Sequence, residues 1–126
     1  FATLAGAALT PDIYRCAVSV AGVTDLEEFI SWRKKKWGAD SEGYTYWLKS
    51  IGDPARDSAK LAATSPARLA QNIKIPVLLI HGEQDRHVPI EHSELAHKML
   101  CEAGGSGNCE FWRIPGADHL QGLLVS

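Results

Sequence analysis

Lys74-Ile75-Pro76-Val77-Leu78-Leu79-Ile80-His81-Gly82-Glu83-Gln84-Asp85-Arg86-His87-Val88-Pro89 decides the fold. Lys74-Ile75-Pro76 leads into Val77 to Ile80, a continuous β-branched and leucine run without polar alternation. Such a run is expected of a strand whose two faces are both covered by helices. A polar loop from His81 to Pro89 follows, and beyond it Leu95, Ala96, Met99, Leu100 and Ala103 recur at helical spacing. Gly104-Gly105 supplies the stop for that helix. Cys109-Glu110-Phe111-Trp112-Arg113-Ile114 reads as another strand, closed by Pro115-Gly116. Upstream, Cys16-Ala17-Val18-Ser19-Val20 ends at Ala21-Gly22 and suits a buried parallel strand. Strands near 16–20, 77–82 and 109–114, separated by helical segments packed on them, predict an α/β layer with a parallel sheet.

The rest of the chain fits around that sheet. Phe1 to Leu9 reads as helix interior, with Ala2, Ala5, Gly6 and Ala8 small enough to let its backbone approach the sheet, and Thr10-Pro11 stops it. Residues 24–51 hold Trp32, Trp37, Tyr44, Tyr46 and Trp47 and the basic run Arg33-Lys34-Lys35-Lys36. They predict helical pieces interrupted by Gly38, Gly43 and Gly52, an excursion above the main layer, with the basic run as a solvated helix face. Ser65-Pro66 reads as a cap followed by proline at the first helical position of a short helix ending near Asn72.

Composition excludes several classes. The chain has 126 residues, 45% of them apolar, which suits one small domain. No apolar run is long enough to span a bilayer, and no secretory signal pattern occurs in this stretch. Thirteen basic against fifteen acidic residues give a net charge of -2, so nothing favours nucleic acid or an anionic membrane as partner. Cys16, Cys101 and Cys109 are too few and too spread for a disulfide framework or a zinc site. Cys101 and Cys109 could form a bridge, but reduced, buried thiols are the expected state. No metal or organic cofactor is expected, and the sequence fixes no compartment.

In a parallel α/β sheet the working loops lie beyond the carboxyl ends of the strands. Two such loops carry chemistry: His81 to Pro89, with Asp85, and Pro115-Gly116-Ala117-Asp118-His119. Asp85 and His119 lie 34 residues apart, one helix plus one strand with their turns. An acid there would accept a hydrogen bond from one ring nitrogen of His119, fix its tautomer and stabilise the imidazolium. The order, acid then histidine, is that of the second and third members of an α/β-hydrolase triad. His81 is expected to be structural, whereas His87, His92 and His97 are expected to face solvent. His92 and His97 are five apart and share no metal-binding helix face. Asp118 is not expected to orient its neighbour. No serine sits in a Gly-x-Ser-x-Gly turn; Ser106 comes nearest, but Asn108 takes the fifth position.

Ile80 to Pro89 resembles the acid loop of the prolyl oligopeptidase family of serine peptidases, and Pro115-Gly116-Ala117-Asp118-His119-Leu120 is similar to its histidine loop. Phe1-Ala2-Thr3-Leu4-Ala5-Gly6 resembles the helix after the family's nucleophile motif, and Tyr14 to Ser19 and Gly22-Val23-Thr24-Asp25 continue the likeness. The resemblance implies the C-terminal portion of an α/β-hydrolase fold, residues 1–126 being a partial catalytic domain without its N-terminal strands and nucleophile elbow. It implies Asp85 and His119 as catalytic residues and a serine outside this chain. The expected function is a serine-type peptidase cleaving short peptides or acyl-amino acids. A carboxylesterase and a non-catalytic relative used for protein interaction are the alternatives. By itself this chain is expected to be inactive, and to self-associate or depend on the rest of its parent. The aromatic residues of 32–47 either line a substrate pocket or pack the excursion.

Overall fold

The computed structural model describes residues 1–104 and 109–120, and a parallel sheet lies at its centre. Strands β1 (Ala17–Val20), β2 (Val77–Gly82) and β3 (Cys109–Ile114) lie side by side in that order. The register pairs Ala17 with Val77 and Val77 with Cys109, and runs on to Gly82 opposite Ile114. One sheet face carries Ala17, Val77 and Leu79, and these join Leu4, Ala7, Ala8, Ala70, Ile73, Ala96 and Leu100 in the buried core.

Helix α1 (Ala2–Leu9), a 3-10 segment (Pro66–Asn72) and α5 (Glu91–Ala103) supply that cover. The opposite sheet face departs from the sequence expectation. Val18 is 49% exposed and Trp112 50% exposed, while Leu78 and Ile80 are half-buried. Among the described residues, then, helices cover one face of the sheet and not the other. In α1 the buried side chains are Leu4, Ala7 and Ala8. Ala2 is exposed, Ala5 and Gly6 are half-buried, and Gly6 lies against the Tyr14 ring.

Between β1 and the 3-10 segment the chain builds α2 (Leu26–Trp37), α3 (Glu42–Ile51) and α4 (Pro54–Thr64). Asp25 and Ser41 cap the first two through side-chain oxygens that accept the N–H groups of Glu28 and Tyr44. Gly38 and Gly52 end them at positive φ, 86° and 140°, where a side chain would strain the backbone. Gly43 interrupts nothing; it sits within the first turn of α3. Helix α4 carries the same start signal as the segment after Ser65: Asp53 caps it and Pro54 follows. It escapes a periodicity reading because Leu61 is its one buried side chain. The basic run is only partly a solvated face. Lys34 and Lys35 are exposed, but Arg33 lies half-buried over the Trp37 ring, and Lys36 reaches the Trp32 and Trp37 rings.

Cysteine chemistry also differs from expectation. Cys101 and Cys109 are joined in a disulfide that ties the end of α5 to the start of β3, with their Cα atoms 6.2 Å apart. Cys101 is exposed and Cys109 half-buried, so neither is a thiol sealed in the core. Cys16 is exposed too, because it precedes β1 rather than belonging to it. Gly104 closes α5 in the left-handed conformation. Gly105, Ser106 and Ser126 lie outside the described residues.

Candidate active site

Parallel pairing of β2 with β3 brings their carboxyl-end loops together. Glu83 N–H donates to the Ile114 carbonyl at 3.1 Å and Gln84 N–H to the Ala117 carbonyl at 3.0 Å. Gly82 permits this contact. A Cβ there would stand 2.3 Å from the Ala117 carbonyl oxygen and 2.7 Å from that of Asp118. No side chain fits without moving the second loop.

Within this junction Asp85 is fixed from several sides. One carboxylate oxygen accepts the N–H groups of His87 (2.8 Å) and Val88 (2.9 Å), which is the turn that Asp85 itself organises. The other lies 2.6 Å from His119 Nδ1. The Asp85 side chain is fully buried, and that of His119 is 32% exposed. Burial by itself would raise the Asp85 carboxyl. The Val88 amide, His119 and the His87 amide outweigh that effect and hold it below the ordinary carboxylate range. Because a carboxylate only accepts, Nδ1 of His119 carries the proton of this bond, leaving Nε2 with a lone pair.

His119 borders two depressions. One, of about 280 Å³, is lined by Gln84, Arg86, His87, Gly116 and Asp118. The other, of about 500 Å³, is walled by Val23, Phe29, Arg33, Trp47 and Val88. The aromatic residues of the excursion divide between a cleft wall and internal packing. Trp47 lines the larger cleft and meets the Phe29 ring edge-on at 5.4 Å, whereas Trp32 and Trp37 pack on one another. A buried imidazole-orienting acid, a partly open imidazole and an adjoining apolar cleft are what proton transfer to a bound group requires.

The remaining histidines divide differently from expectation. His81 is buried: Nε2–H donates to the Val88 carbonyl (2.9 Å), and Nδ1 accepts the Ser93 hydroxyl (2.7 Å). It also lies 3.3 Å from the Asp85 carboxylate, so it buttresses the acid loop from behind. His92 does not face solvent; it is 4% exposed, and its Nδ1 accepts the Thr24 N–H at 3.3 Å. Burial lowers its pKa to about 4; Asp25 pulls the other way more weakly than burial, and His81 adds a still smaller lowering. His87 is exposed, and His97 is half-buried beside Phe111. His97, Cys101 and Cys109 place possible ligand atoms within 4.8 Å of one another, but the two sulfurs are bonded together and offer no thiolate. Asp118 accepts the Leu120 N–H at 2.9 Å.

The sequence reading missed the hub that anchors the excursion. Asp25 receives Arg68 through Nε (2.6 Å) and Nη2 (3.2 Å), and Arg68 also pairs with Glu27 at 2.6 Å. Leu26 N–H donates to the Ser65 hydroxyl, and Ala67 N–H to the Thr24 carbonyl. The available signal was Asp25 itself, a capping residue followed by Glu27 and Glu28. Its partner, 43 residues away, leaves no local trace.

The sequence matches the prolyl oligopeptidase family over residues 2–124. Dipeptidyl aminopeptidase BIII of Pseudoxanthomonas mexicana is 33% identical over 102 residues, which is 79% of this chain and 14% of that protein. The uncomplexed acylaminoacyl peptidase of Pyrococcus horikoshii aligns with a TM-score of 0.76 at 21% identity. That alignment covers 97% of this chain and 19% of that one. A puromycin-hydrolysing peptidase of Mycobacterium tuberculosis gives 0.72 at 23% identity, covering 91% of this chain and 16% of its own. The chain thus spans a small part of each relative, and the structural likeness is one of α/β-hydrolase fold.

Proposed function

Because the chain belongs to the prolyl oligopeptidase family, we propose that it supplies the acid and the base of a serine peptidase's catalytic triad. The nucleophilic serine comes from outside these 126 residues. That serine attacks the carbonyl of a short peptide or acyl-amino acid. His119 takes its proton at Nε2 and later returns it to the leaving amine. Asp85 keeps Nδ1 protonated and stabilises the imidazolium. The larger cleft beside His119 receives the side chain next to the scissile bond. One observation carries this reading: the 2.6 Å contact between His119 Nδ1 and a buried carboxylate whose other oxygen is held by two amides.

The test uses a polypeptide that joins this chain to its upstream coding sequence, treated with a fluorophosphonate probe and with paired ester and anilide substrates. Labelling of an upstream serine is expected, with none in residues 1–126. Asp85→Asn should lower kcat roughly 10³–10⁴-fold, since the amide favours the wrong tautomer. Cleavage of esters but not anilides would convert the reading to a carboxylesterase. A substituted upstream serine with no labelling would make the chain part of a binding protein.

A further inference from the structure

Arg33 carries a donor that no described residue satisfies. Its guanidinium lies 4.2 Å from the centroid of the Trp37 ring and 5.8 Å from that of Phe29. Its Nε is buried and has no hydrogen-bond partner among the described residues. None of the ion pairs among those residues includes it. A Cβ on Gly43 would come within 3.1 Å of Nη2, so the first turn of α3 lies against one side of the head group. Aromatic faces attract the cation, yet they do not accept the in-plane N–H groups. A buried guanidinium N–H without a partner is costly, and native structures rarely keep one. Burial lowers the pKa of Arg33, consistent with its loss of water.

The Arg33 side chain also borders an open cleft. Arg33 shares the walls of the 500 Å³ cleft with His119, and the other lining residues are Val23, Phe29, Trp47, His87, Val88 and Leu120. No carboxylate is among them. Lys36, one turn on, adds positive charge where its ammonium donates to the Arg86 carbonyl at 3.1 Å. An arginine fork favours a planar, bidentate anion over any neutral group. On the hydrolase reading above, we propose that the cleft selects peptides or acyl-amino acids bearing a carboxylate, with Arg33 as the recognising residue. The acid would be either an aspartyl or glutamyl side chain or a free C-terminus.

Trp37 and Trp47 beside the site make binding readable by tryptophan fluorescence on the polypeptide that joins this chain to its upstream coding sequence. Three probes separate the sources: N-acetylglutamate α-amide (side-chain acid), N-acetylglutamine (terminal acid) and N-acetylglutamine amide (neutral). At least one acid should bind about tenfold more tightly than the neutral probe, as a charge-assisted hydrogen bond implies. Arg33→Gln, checked for folding by circular dichroism, should erase that preference. Arg33→Lys should keep only part of it, since an ammonium lacks the fork. Equal affinity for all three probes, or no binding by any, would overturn the proposal, as would a preference that survives in a folded Arg33→Gln chain. Should Arg33→Gln not fold, the wild-type comparison and Arg33→Lys still decide. Absence of fluorophosphonate labelling in the longer polypeptide would instead overturn the hydrolase reading and leave this binding result standing.

Discussion

His92 shows how one buried ring ties stability to pH. Its Nδ1 accepts backbone N–H from Thr24 at 3.3 Å, so it must stay unprotonated in the folded chain. Its folded pKa is lowered to about 4 from an ordinary 6.5, with burial the main cause. Between those values the unfolded chain binds a proton that the folded chain refuses. Stability therefore falls as pH drops from about 6.5 to about 4, with the full contribution present above 6.5. The loss should reach about 3 kcal/mol, taking about 1.4 kcal/mol per pKa unit. His92→Asn retains an acceptor without a titrating ring. It should flatten this part of the profile, as read by urea unfolding at pH 7 and pH 5. A profile unchanged by the substitution would show that another group carries the dependence. Sequence spacing could not reveal this role. Thr24 and Phe29, which contact His92, are brought to it only by the folded excursion.

At the scale of elements, the two loops depend on the bare backbone at the end of β2. Gly82→Ala would drive a methyl group to 2.3 Å from the Ala117 carbonyl oxygen, and backbone cannot yield as a flexible side chain does. The histidine loop must move outward. Overpacking of this kind costs about 1–3 kcal/mol. The Glu83 and Gln84 amides, which bond across to Ile114 and Ala117, should lose hydrogen-exchange protection in the variant. Retained protection would show that the loops adjust without separating. These elements were the most legible part of the sequence. Val77 to Ile80 and Cys109 to Ile114 are strands because of their own side chains, and parallel pairing then brings Asp85 and His119 together. The Cys101–Cys109 bridge was legible only as the less expected alternative, because it depends on where α5 and β3 return to one another. Helix α4 was not legible, because its single buried Leu61 leaves no stripe to read.

For the whole molecule, the question is what the sheet lacks. Ala17 and Ala21 N–H groups donate to Pro76 and Ile80 carbonyls, so the alternating backbone groups of Val18 and Val20 point to the outer edge of β1. No described strand pairs with that edge. The neighbouring surface is apolar as well. Val18 is 49% exposed and Trp112 50% exposed on the uncovered sheet face, with Ile13 70% and Tyr14 47% exposed beside β1. An open edge is a template for another strand, and soluble monomers seldom leave large contiguous apolar patches bare. The 126-residue chain should therefore associate with itself at micromolar concentration, or require a further segment of polypeptide to stay in solution. Size exclusion coupled to light scattering should report a dimer or larger species. Val18→Lys with Trp112→Glu, which place charge on the exposed face without touching the core, should shift that distribution towards monomer. A monodisperse wild-type monomer with a cooperative thermal transition would mean that three strands with one covered face already suffice for an independent domain.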